Sequence, residues 1–183
     1  MGRWSRLLAA EVVAWIAPAR GLRWLDVGCG TGAVSEAVLA VADPVSLIPG
    51  GRVTAYVWDY ADGMQTLRRF WDAALHEDPA AASLDEGARF PICQPDSLEH
   101  CFADAGLRDL DARPVEVATI FRDFDDYWAP FLGGQGPAPT YCATLSQASR
   151  DRLRARLQAT MPVEGDGTIR LRARAWAVQG VSS

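Results

Sequence analysis

The feature that most constrains this chain is a short apolar run, Arg23-Trp24-Leu25-Asp26-Val27, that enters Gly28-Cys29-Gly30-Thr31-Gly32. The next ten residues, 33–42, are small and apolar. The pattern predicts a strand, a glycine-rich turn and a helix. Glycines at such a turn let the chain bend tightly and let a ligand come close to the backbone. The helix that follows offers free N–H groups suited to carboxylate or phosphate oxygens.

The rest of the chain reads as elements around that unit. Residues 5–17 predict an amphipathic helix with Leu8, Val12, Trp15 and Ile16 on one side. Arg52–Tyr60 alternates as a strand, Val53, Ala55 and Val57 opposite Thr54, Tyr56 and Trp58. Residues 64–76 suit a helix. Residues 78–94 look irregular. Asp96-Ser97-Leu98-Glu99 resembles a capping box, with Gly106 just past the end of its helix. A β segment has its core at Val115–Phe121, an aromatic and proline-rich stretch covers 122–141, and a charged helix spans about 144–160. The last strand, 168–178, puts Ile169, Leu171, Ala173 and Ala175 on one face and Arg170, Arg172 and Arg174 on the other.

Composition narrows the function classes. The net charge is -5, and all 18 basic residues are arginine. That balance argues against nucleic acid as a partner, because a phosphate backbone calls for a basic footprint. The four cysteines fit no zinc template, so no metal site is expected and reduced thiols are. Glu11 interrupts the only stretch resembling an export signal, and no apolar run reaches membrane-spanning length. The expectation is a cytoplasmic protein without a membrane partner.

The string Leu25-Asp26-Val27-Gly28-Cys29-Gly30-Thr31-Gly32 resembles the first motif of class I S-adenosylmethionine-dependent methyltransferases. Gly2-Arg3-Trp4-Ser5-Arg6 is similar to the lead-in of the small-molecule members of ubiquinone/menaquinone-biosynthesis type. Ile48-Pro49-Gly50-Gly51-Arg52-Val53 looks like their turn before the fifth strand. Tyr56–Tyr60, the aromatic stretch and Ala173–Val178 resemble the same group. The resemblance implies an α/β fold of Rossmann-like type and S-adenosylmethionine as cofactor. It places Asp26, Gly28, Gly30, Thr31 and Gly32 around the methionyl group, with Trp4 and Arg6 closing over that end.

One departure from the family matters most. Only 17 residues lie between Gly32 and Gly50. At about 30 residues per strand–helix–strand unit, on the order of 60–90 residues are absent. Strands two to four of the usual sheet would go with them, and so would the family's ribose-binding acid and adenine contact. The expectation is one truncated domain over 1–183, with a residual cofactor-binding part at 1–60 and a C-terminal sheet with a helical cap at 61–183.

The expected function is a methyltransferase homologue for a small molecule with impaired cofactor binding. The alternative is a non-catalytic dimeric binding module derived from such an enzyme. The resemblance places Asp59 and Tyr60 after the fifth strand, where ligands often sit in open α/β sheets, and makes them the catalytic candidates. His76 and His100 read as solvated. Trp58, Trp71, Phe90, Trp128, Phe131 and Tyr141 read as either core or the walls of a substrate pocket. A sheet shortened this way exposes an edge and apolar faces. A homodimer is therefore expected, with exchange of the N-terminal helix–strand–helix unit as one route.

Overall fold

The computed structural model describes residues 2–20, 33–42, 51–133 and 135–181. The expected first strand and its glycine-rich turn, including Asp26, Gly28, Gly30, Thr31 and Gly32, lie outside the described residues. The fold mixes helix and strand around a three-stranded antiparallel sheet. In chain order the elements are α1 (Gly2–Ile16), α2 (Ala33–Ala42), β1 (Arg52–Trp58), α3 (Gln65–Glu77), α4 (Glu86–Arg89), α5 (Pro95–Asp104), β2 (Arg108–Phe121), α6 (Phe124–Trp128), α7 (Pro137–Thr144), α8 (Gln147–Thr160) and β3 (Ile169–Val181). Short 3-10 turns occupy Pro79–Leu84, Pro91–Cys93 and Ala129–Leu132. The strand order is β1–β3–β2, so the last strand in sequence is central. Among the described residues no helix is long and apolar enough to cross a membrane.

The chain divides into two compact units. The first comprises Met1–Val57, Gln94–Val117 and Arg174–Ser183. Here α1 buries Leu8, Val12 and Ile16 of the expected stripe together with Ala9 and Val13, whereas Trp15 is only half-buried beneath the Arg113 guanidinium, and Val13 packs against Val38 of α2. Ala17 ends α1 at φ 45°, a conformation usual for glycine, while its N–H still reaches the Val13 carbonyl at 3.1 Å.

A separate cluster of this unit joins Leu98 and Phe102 of α5 to Val178 of β3, with Ala55, Val57 and Leu107 against it. The end of α5 is legible in sequence. Gly106, at φ 78°, donates to Ala103 O, and Leu107 N–H donates to Phe102 O. These two bonds form a Schellman motif, whose usual apolar contact is the packing of Leu107 against this cluster. The start of α5 differs from expectation. Pro95 takes the first helical position after Gln94, and no side chain caps the helix, so the capping box at 96–99 does not form. Proline's fixed φ and missing N–H suit that first position.

The second unit comprises Trp58–Cys93 and Ala118–Ala173. Its core is aromatic. Phe70 of α3 stacks on Phe131 with centroids 4.4 Å apart and meets Trp71 and Tyr141 edge-on. Tyr127 packs on Phe121, Phe124 and Phe131, and its hydroxyl donates to Thr66 O at 3.0 Å. Ser146 caps α8 through Ser149 N–H, and Leu153 and Leu157 are buried, while Leu145, at the start of the helix expected over 144–160, ends α7 half-buried instead. Arg150 donates to the carbonyls of Cys142 and Leu145, which closes the end of α7.

Candidate functional site

The strand expected over 52–60 stops at Trp58, and the reason is Asp59. Its carbonyl accepts Met64 N–H at 2.9 Å and its carboxylate accepts Asp62 N–H at 3.1 Å. These bonds turn the chain from β1 into α3. Asp59 is fully buried by the turn it makes. Tyr60 follows half-buried, with its ring 5.9 Å from that of Phe90.

Around this turn the second unit gathers polar groups that are mostly out of water. Asp85 and Glu86 are 7% and 5% exposed. Asp85 holds the Arg68 guanidinium through both oxygens, one contact measuring 2.9 Å, and also accepts Gly87 N–H at 2.8 Å. Glu86 accepts the indole N–H of Trp71. Gly87 has a steric role: a Cβ there would lie 2.9 Å from Tyr60 O and 3.1 Å from Ala61 Cα. No side chain fits that approach. Segment 85–90 is therefore clamped against α3 and the turn by one ion pair, one indole bond and one backbone contact.

Electrostatics set what these groups can do. Burial pushes the Tyr60 phenol up from its ordinary value, and the nearby Cys93 and Glu86 push it further. Burial and the Asp59 carboxylate raise the Cys93 thiol in the same way. Phenol and thiol stay protonated at neutral pH, so they serve as hydrogen-bond donors.

The structure brings some of the sequence-based candidates together and separates others. Asp59, Tyr60 and Phe90 meet at the turn. Trp71, Trp128, Phe131 and Tyr141 are each less than 9% exposed and pack largely on one another or on Phe70. Trp58 is half-buried at the end of β1. Trp4 is half-buried and Arg6 exposed on α1. His76 and His100 are exposed, and His100 Nδ1 lies 2.6 Å from Asp96 O. Cys93 and Cys142 are buried and Cys101 is exposed, and none of the three is in a disulfide among the described residues. Among the described residues no cluster of three acidic, histidine or cysteine side chains is placed to hold a metal.

Sequence reasoning missed Arg68, Asp85, Glu86 and Cys93. The available signal was Asp85-Glu86-Gly87, two adjacent acids before a glycine in a segment with no periodicity of its own. No protein-family model matches the chain, and no curated protein matches it.

The buried tyrosine of this unit gives a pH dependence. Tyr127 is held well above its ordinary value of about 10 by burial. Its folded value exceeds its unfolded one, so its contribution is whole below about pH 10 and is lost as pH rises beyond it. Each pH unit above the unfolded value withdraws about 1.4 kcal/mol. The melting temperature should fall by about 3–5 °C between pH 10 and 11. Tyr127→Phe should flatten that fall in thermal melts; an unchanged slope would count against it.

Proposed function

We propose that this chain is a class I S-adenosylmethionine-dependent methyltransferase homologue of truncated Rossmann-like form. On this reading it keeps the acceptor side of the site and the cradle for the methionyl end of the cofactor, but lacks the strands that grip the nucleoside. The sequence from Leu25 to Gly32, followed after 17 residues by Gly50-Gly51-Arg52, carries the reading. The strand Arg52–Trp58 leading into buried Asp59 and half-buried Tyr60 supports it, because that is where the family resemblance expects the acceptor.

The chemistry assigned to the chain's own residues follows from their environment. Tyr60 would donate a hydrogen bond to a small acceptor molecule. Methyl transfer further requires the sulfonium methyl and the nucleophile to be held in line at near-attack distance. A cofactor held by its amino-acid end alone does not meet that condition well. Loss of the ribose carboxylate removes about 1.5–3 kcal/mol. Loss of the adenine contact removes a similar amount, which turns a micromolar site into a roughly millimolar one.

Calorimetric titration with S-adenosylmethionine and its demethylated product tests the reading. The dissociation constants are expected near 1 mM. Values below about 50 µM would overturn the loss of grip.

A second reading, a non-catalytic dimeric binding module, is favoured by one observation. Three of the six aromatics considered as pocket walls, Trp71, Trp128 and Phe131, are spent on core packing. Complete absence of heat with either cofactor form would favour this reading.

A further inference from the structure

The second unit carries a surface cavity of about 390 Å³ lined by Leu84, Arg89, Pro137, Thr140, Tyr141 and Thr144. Small-molecule sites start at about this size, with an apolar lining and a few placed polar groups. Here the side chains of Leu84 and Pro137 and the ring of Tyr141 supply apolar surface. Arg89, Thr140 and Thr144 complete the lining, and the Thr144 hydroxyl is already donated to Tyr141 O at 2.7 Å, which leaves Arg89 as its one charged group.

Most arginines of the second unit are engaged, while Arg89, like Arg156, holds no carboxylate or carbonyl among the described residues. Arg68, Arg122, Arg152 and Arg154 each hold a carboxylate, and Arg69 and Arg150 hold backbone carbonyls. Among the described residues Arg89 has neither, and lies over the Phe90 ring with its Cζ 5.4 Å from the centroid. The reason is local. Asp78 is engaged by Ala80 N–H and the Tyr141 hydroxyl, Asp85 by Arg68 and Gly87, and Glu86 by Trp71. Each acid of segment 78–86 is committed to another partner, which leaves one cation at the cavity without a counter-charge in a chain of net charge -5.

We infer that this cavity is a binding site for a small apolar carboxylate, with its charged end on Arg89 and its apolar body against Leu84, Pro137 and the Tyr141 ring. A planar guanidinium recognises a carboxylate through two parallel bonds, which an amide or alcohol cannot replace. Asp78, 3.4 Å from the Tyr141 hydroxyl, keeps a second negative charge away from the tyrosine end and so fixes the direction of binding. The inference is independent of the methyltransferase reading and holds if the chain binds no nucleoside.

The test is a heteronuclear NMR titration of the full chain with sodium benzoate, using benzamide as the neutral isostere. Benzoate is expected to give saturable shifts at Arg89, Thr140 and Thr144, with benzamide weaker by about tenfold or more. Arg89→Gln should weaken benzoate by about tenfold or more and leave benzamide within about twofold. Arg89→Lys, which keeps the charge but not the paired geometry, should fall between. Arg89 is exposed, so melting temperatures of both variants should match the parent. Absence of saturable shifts up to about 20 mM benzoate, equal binding of benzamide, or benzoate binding unchanged in Arg89→Gln would overturn the assignment.

Discussion

Replacing Phe70 with alanine is expected to cost about 3–5 kcal/mol of stability. The side chain is fully buried and is the common partner of three other rings. It stacks on Phe131, and Trp71 and Tyr141 meet it edge-on. Truncation removes those contacts and leaves a cavity between α3, α7 and the turn carrying Phe131. Rigid rings on several sides collapse into such a space poorly, which puts the cost at the upper end of the range. Domains are stable by only about 5–15 kcal/mol, so a large share of the total would go. The melting temperature should drop by roughly 10 °C or more. Urea unfolding followed by tryptophan fluorescence measures this, and a loss under about 1 kcal/mol would contradict the packing described.

The second large effect concerns Arg68. Its pair with Asp85 is mostly out of water, the two side chains being 19% and 9% exposed. Arg68→Met would leave the Asp85 carboxylate with the Gly87 N–H as its remaining described bond. Removing one partner of a buried pair costs about 3–5 kcal/mol, because an uncompensated charge is left behind. Much of that should be recovered in the double variant Arg68→Met, Asp85→Asn, where no unpaired charge remains. A double-mutant cycle by denaturant unfolding separates the two contributions. If the double variant loses as much as the sum of the single ones, the pair is not what holds segment 85–90.

These two clusters also show which parts of the molecule were legible in the sequence. Local signals gave α1 through its apolar stripe, β3 through its alternation from Ile169 to Ala175, and the end of α5 through Gly106. In each case the residues that decide the conformation lie within a turn or two of one another. The alternation of β3 ends at Ala177 and Val178, which are both buried, so a period of two stops describing the strand where both its faces are covered.

Segment 78–94 was illegible for the opposite reason. Its short helical turns are fixed by Asp78 and Asp85 capping their own backbones and by distant partners, Arg68 and Trp71 on α3. No periodicity announces contacts of that kind. The aromatic stretch at 122–141 likewise folds into α6, a 3-10 turn and α7, whose rings at 127, 128 and 131 pack on one another or on rings of other elements rather than on a periodic face. At the candidate site, the strand running up to Asp59 and Tyr60 was readable from its alternation. Glu86 and Cys93 reach them only through the fold.

On the reading proposed above, the chain would retain a hold on the methionyl end of the cofactor and not on its nucleoside. Its most direct test compares the dissociation constants of free methionine and of S-adenosylhomocysteine by NMR titration of the full chain. If the nucleoside gains nothing, the two should agree within about tenfold, both near or above 1 mM. S-adenosylhomocysteine binding more than about 100-fold tighter than methionine, below about 50 µM, would contradict the claim.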